Sequence, residues 1–84
     1  MAEEKLIGKI THYFNGIGVG IIELTDAFRV GEKIHIKGSV TDFEQVVNSM
    51  QVEHKDISEA KPGDAIGVKV EQKVREGDLV YKVL

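Results

Sequence analysis

The side chains able to do chemistry are few, and their spacing assembles no catalytic set. Histidines stand at positions 12, 35 and 54, without the paired spacing that brings imidazoles to one metal ion. Cysteine is absent, which removes thiolate ligands and disulfides together. Ser39, Ser49 and Ser58 carry no nucleophile-elbow or triad signature. Glu3 and Glu4 are paired carboxylates, but residues 1–4 read as a frayed end. A phosphate-cradling loop needs Gly-x4-Gly-Lys-Ser/Thr, whereas Gly8-Lys9 is followed by Ile10 and lacks the earlier glycine. The run Gly16-Ile17-Gly18-Val19-Gly20 leads from a turn into a strand, not from a strand into a helix as a dinucleotide loop does. The expectation is a non-enzymatic chain with no cofactor, no metal and no nucleotide.

What is left is surface recognition. Lys33, His35, Lys37 and Lys69 share the outward parity of their strands and would meet phosphates if neighbouring strands aligned them. The ordinary role of such lysines is a solvated face that deters edge pairing. Phe14, Phe28, Phe43, Tyr13 and Tyr81 form no interleaved base-stacking pattern.

The elements that must position these residues are strands. The apolar inventory is 11 Val and 9 Ile against 4 Leu and 4 Ala, and branching at Cβ suits a pleated surface better than a helix. Ile34 and Ile36 alternate with Lys33, His35 and Lys37, and Ile66, Val68 and Val70 alternate likewise. Lys61-Pro62-Gly63-Asp64 reads as a type II turn, and Gly31-Glu32 and Gly77-Asp78 are further Gly-acid corners. Asn15-Gly16 predicts a two-residue type I′ hairpin. That register sets Phe14 opposite Ile17, His12 opposite Val19 and Ile10 opposite Ile21 on the inward face, with Tyr13 over Gly18 outside. Between Val40 and His54 the parity shifts, which a corner or bulge near Asn48 would explain, with a short helix as the competing reading. Ile57–Ala60 reads as irregular or a single helical turn. Six or seven short strands without a long helix imply one closed antiparallel β-barrel over residues 1–84.

Length and charge fit a single small domain. The chain has 84 residues, with 11 basic against 14 acidic side chains and a net charge of -3, which argues against coating nucleic acid or anionic membrane by bulk charge. The start is acidic and no apolar stretch reaches the length of about 18 residues that a membrane span needs. No membrane partner and a cytoplasmic location are expected.

Four motifs in order carry a resemblance: Val30-Gly31-Glu32-Lys33-Ile34-His35-Ile36-Lys37-Gly38, then Ser49-Met50-Gln51, then Ala60-Lys61-Pro62-Gly63-Asp64-Ala65-Ile66-Gly67, then Arg75-Glu76-Gly77-Asp78. Together they resemble the second domain of translational GTPases such as elongation factor Tu, a β-barrel of about this size. More narrowly, the chain resembles the stand-alone translation elongation factor-like proteins built of this barrel alone. Similar barrels are also attached to some U32-family peptidases. In elongation factor Tu the strand and loop before this Gly-Asp turn help form the pocket for the 3′ end of aminoacyl-tRNA, with a glutamate and an arginine. Gln51 and His54 occupy those positions here, and neither keeps the family's charge.

Two functional expectations follow. The resemblance implies an RNA-associated module touching tRNA or the ribosome through Gln51, His54, Lys55, Lys33, His35 and Lys37. The alternative is a protein-interaction adaptor that supplies in trans the barrel larger enzymes, such as U32-type peptidases, carry in cis. It would dock through an apolar exterior patch around Ile7, Ile22 and Leu24.

Overall fold

The alternation of branched apolar and polar residues produces ten short strands in a computed structural model that describes residues 3–53 and 55–84. They are β1 (Glu4–Phe14), β2 (Val19–Leu24), β3 (Phe28–Arg29), β4 (Lys33–Lys37) and β5 (Asp42–Val46). β6 (Met50–Val52), β7 (Lys55–Ile57), β8 (Glu59–Ala60), β9 (Ala65–Lys69) and β10 (Leu79–Val83) follow. Eight form one sheet in the order β5-β4-β10-β1-β2-β9-β6-β7, and β3 pairs with β8 in a small second sheet. All recorded pairings are antiparallel, and no helix occurs among the described residues. Among the described residues no helix is long and apolar enough to cross a membrane.

The expected all-β class holds, but not the closed barrel: no ladder joins the two ends of the sheet among the described residues. β6 follows β9 only as far as Met50↔Val68. Beyond that point the side chain of Gln45, on end strand β5, takes over. Its Nε2 donates to the Lys69 carbonyl at 2.9 Å and its Oε1 accepts from the Glu71 amide at 2.8 Å. Gln45 is almost fully buried, so a side-chain amide stands where a neighbouring strand's backbone would otherwise satisfy β9. A cleft of about 240 Å³ opens beside it, lined by Val46, Asn48, Ser49, Lys69, Val70 and Glu71.

The three Gly-acid corners share one construction. In Arg29–Glu32, Lys61–Asp64 and Arg75–Asp78 the acid's amide donates to the first residue's carbonyl, at 3.3, 3.0 and 3.1 Å. Its carboxylate accepts from the first residue's amide at 2.9, 3.0 and 2.9 Å. Gly31, Gly63 and Gly77 have φ of +98°, +93° and +90°, the position a type II turn reserves for glycine. Each corner delivers the chain into the next strand.

The Asn15-Gly16 hairpin differs from its expected form. Positive φ falls on Gly18, at +67°, and the Phe14 carbonyl accepts from the amides of Ile17 and Gly18. The loop is therefore four residues, and Phe14 pairs with Val19, Tyr13 with Gly20 and His12 with Ile21. A bulge between Ile10 and His12 then restores Ile10↔Ile22 and Lys9↔Glu23. Below the bulge Ile10, Ile22 and Leu24 are core; above it His12 and Phe14 turn outward while Tyr13 packs inward. A second bulge, between Leu6 and Gly8 on the β10 side, turns Ile7 into the core.

The remaining parity reading is correct in outline. Phe43, Gln45 and Val47 face inward, the chain corners at Asn48, and Met50 faces inward again. That corner separates two strands and excludes the helical alternative. Ile57–Ala60 holds the end of β7 and all of β8.

Candidate functional site

Two of the residues expected to present a cationic face, Lys33 and His35, are paired with acids. Lys33 Nζ lies 2.9 Å from Glu44 on the neighbouring strand. His35 sits between two carboxylates, with Nδ1 2.6 Å from Glu4 Oε2 and Nε2 hydrogen-bonded to Asp42. The hydrogen bond that His35 donates to the Asp42 carboxylate holds its pKa above the ordinary value, with Glu4 adding to it against the opposing effect of burial. The same bond lowers Asp42, and the Lys33 ammonium lowers Glu44. Lys37 lies opposite Asp42 in the ladder.

Gln51 is exposed on β6, where its amide donates to Asp56 at 2.9 Å. Lys55 is exposed on β7, and Lys69 lies on β9, four strands from β4. The structure thus brings Lys33, His35 and Lys37 together on β4, but with acids interleaved, and leaves Gln51, Lys55 and Lys69 elsewhere. His54 lies outside the described residues.

The apolar patch expected around Ile7, Ile22 and Leu24 does not exist on the surface, because each of these side chains is 1% exposed. Its place is taken by the opposite parity. Phe14, Ile17, Val19 and Ile21 line an outward groove of about 320 Å³ together with Gln51, Glu53, Ala65 and Gly67. Phe14 and Ile17 are 44% and 66% exposed. Gly67 pairs with Ile21 on one side and Gln51 on the other; a Cβ there would sit 3.5 Å from Val19 and 3.6 Å from Ile21. Its missing side chain therefore leaves a shallow floor between aliphatic walls. The His12 ring, tilted 53° to that of Phe14 at 4.5 Å, supports one wall from behind.

Sequence reasoning named these residues but turned them inward. Glu23 carried the contrary signal. Turning Ile22 and Leu24 outward would bury the carboxylate between them, which costs far more than exposing Val19 and Ile21.

Fold and surface together define a small all-β domain whose exterior, among the described residues, offers an apolar groove and an ionic cluster. Known proteins make that class more specific. Over 76 residues, 89% of its length, the chain is 43% identical to an uncharacterized protease of Methanocaldococcus jannaschii, of which it covers 19%. It is 29% identical over 82 residues to a collagenase of Porphyromonas gingivalis, of which it covers 23%. The chain thus spans about a fifth of the length of the curated relatives it matches. Its fold is that of the C-terminal domain of a Geobacillus thermoleovorans protein described as a U32 peptidase. The TM-score is 0.86 at 20% identity, over 93% of this chain and 91% of that one. No protein-family model matches.

These relatives overturn the resemblance to elongation factor Tu and the stand-alone translation-factor proteins, and with it the RNA-binding expectation. Three of the four motifs that carried the resemblance contain the Gly-acid corners, whose glycine and acid are spent on backbone turns. Such corners report how strands are joined and nothing about what the surface binds.

Proposed function

We propose that this chain is a non-catalytic docking module of the kind carried at the C-terminal end of U32-type peptidases, and that it holds a peptidase body through the Phe14–Ile17–Val19–Ile21 groove. The observation that carries this reading is the 43% identity to a protease of which the chain matches only 19%. The rest of such a protein is the natural occupant of an apolar exterior groove. Exposed apolar surface beside an aromatic anchor is the usual centre of an interface.

The test combines the 84-residue chain with the M. jannaschii protease truncated to remove its matching segment, followed by size-exclusion chromatography and calorimetry. A 1:1 complex weakened about tenfold or more by Ile17→Glu is expected, since a buried apolar anchor contributes on the order of 2 kcal/mol or more. Absence of a complex between two folded partners refutes the docking reading. Proteolysis of casein or gelatin by the chain alone refutes the non-catalytic one.

A further inference from the structure

The ionic cluster on β1, β4 and β5 is not used by the docking groove and has its own chemistry. His35 projects from the middle of β4, its side chain 13% exposed. Glu44 stands opposite it on β5, and Glu4 reaches it from β1, across β10. Ligand atoms of Glu4, His35 and Glu44 all lie within 4.8 Å of one another. On the other side of the ring, Nε2 is hydrogen-bonded to Asp42. A carboxylate fixing one ring nitrogen while the other, here facing Glu4, is left for a metal is the arrangement by which outer groups orient a metal-bound histidine.

We propose that Glu4, His35 and Glu44 form a binding site for a divalent first-row transition-metal ion, with Asp42 as the outer carboxylate that orients the imidazole. The donor set is one imidazole nitrogen and two carboxylate oxygens, which suits zinc, cobalt or manganese and disfavours the all-oxygen preference of magnesium and calcium. Nδ1 is the ligating nitrogen, because Nε2 keeps its proton and donates it to Asp42. The proton that Nδ1 carries in the metal-free imidazolium leaves to solvent when the ion binds. Metal–ligand bonds of about 2.0–2.2 Å require the donors to close by roughly an ångström. Glu4 and Glu44 supply that movement, since their side chains are 29% and 41% exposed, while Asp42 steadies the ring. One Glu44 oxygen faces Lys33 at 2.9 Å, leaving the second to turn toward the ion. Glu4, Asp42 and Glu44 against Lys33 and Lys37 leave the cluster net negative once the imidazole is neutral.

The experiment is a calorimetric titration of the chelator-treated 84-residue protein with Zn²⁺, repeated with Co²⁺ to read ligand-field absorption. One ion per chain with a micromolar Kd is expected. Asp42→Asn should weaken it about tenfold, as loss of an outer carboxylate does. His35→Ala should abolish it, and His12→Ala and His54→Ala should leave it unchanged. Circular dichroism checks each fold; if His35→Ala unfolds, Glu4→Gln and Asp42→Asn carry the test. Affinity weaker than about 1 mM, binding retained in His35→Ala, or binding lost in the His12 or His54 variant overturns the assignment.

Discussion

Replacing Gln45 by leucine tests whether one side-chain amide holds the open sheet together. The change keeps the apolar stem and removes a donor to the Lys69 carbonyl and an acceptor from the Glu71 amide. Each bond contributes about 0.5–1.5 kcal/mol net, and each group left dry would cost about 1–3 kcal/mol. The adjoining cleft of about 240 Å³ admits water to both orphaned groups, which places the loss near the lower figures, about 2 kcal/mol. For a chain of this size total stability is on the order of 4–13 kcal/mol, and each kcal/mol moves Tm by about 4–8 °C. A Tm drop of about 8–16 °C is expected, together with loss of hydrogen-exchange protection at the Glu71 amide before the amides of β9. Urea unfolding followed by circular dichroism, paired with amide exchange, measures both. A loss below about 0.5 kcal/mol, within the range of ordinary surface changes, with Glu71 still protected would refute the bridging role.

Gly38→Ala would place a methyl group 2.7 Å from Asp78 Cγ, and that carboxylate is buried and committed to the Arg75 amide. Urea unfolding should show a loss of about 1–3 kcal/mol, the cost of overpacking, smaller in an Asp78→Ala background; an unchanged penalty there would mean the clash is not with Asp78. Gly18→Ala meets a φ of +67°, so about 1 kcal/mol should be lost, and no loss would mean the loop readily rearranges. Gly67→Leu fills the groove floor and should weaken docking while leaving the rest of the exterior unchanged; undiminished binding would place the interface elsewhere. In chelator, His35 should titrate above the free imidazole value in a pH series of its ring NMR signals, because Asp42 and Glu4 favour the charged form. The stability it supplies is full below the unfolded pKa and fades as pH rises through the raised folded one, whereas Asp42's share fades as pH falls through its lowered pKa. A His35 titration at or below the free value would mean the carboxylates do not hold it.

The sheet was legible where local rules act alone. Ile34/Ile36 and Ile66/Val68 alternate without interruption, and their strands lie as that period requires. The Gly-acid corners were equally readable, because only glycine takes the positive φ at low cost. The first hairpin was not, because Gly16, Gly18 and Gly20 offer competing sites for the left-handed residue, and two bulges in β1 each advance the parity by one. A single-residue slip exchanges core for surface, so the groove residues were in hand but assigned to the interior. The His35 cluster escaped notice because its carboxylates come from β1 and β5, a conjunction set by strand order and invisible in linear spacing. The lack of a closing ladder went unread for a similar reason: the end strand β5 reaches Lys69 through the side chain of one glutamine 24 residues away in sequence.

β10 runs back beside β1 so that Glu4 lies opposite Val83, and the Leu84 amide donates to the Glu3 carbonyl at 2.7 Å. A polypeptide arriving at one of these positions and departing from the other passes through nearly a single point on the surface. The fold is consequently portable: it can be strung onto another protein or spliced into one of its loops without prying the sheet apart. By the same geometry a short peptide can join residues 84 and 3 while the chain is reopened in the exposed Asn15–Gly18 loop, giving a permuted protein with the same strand neighbours.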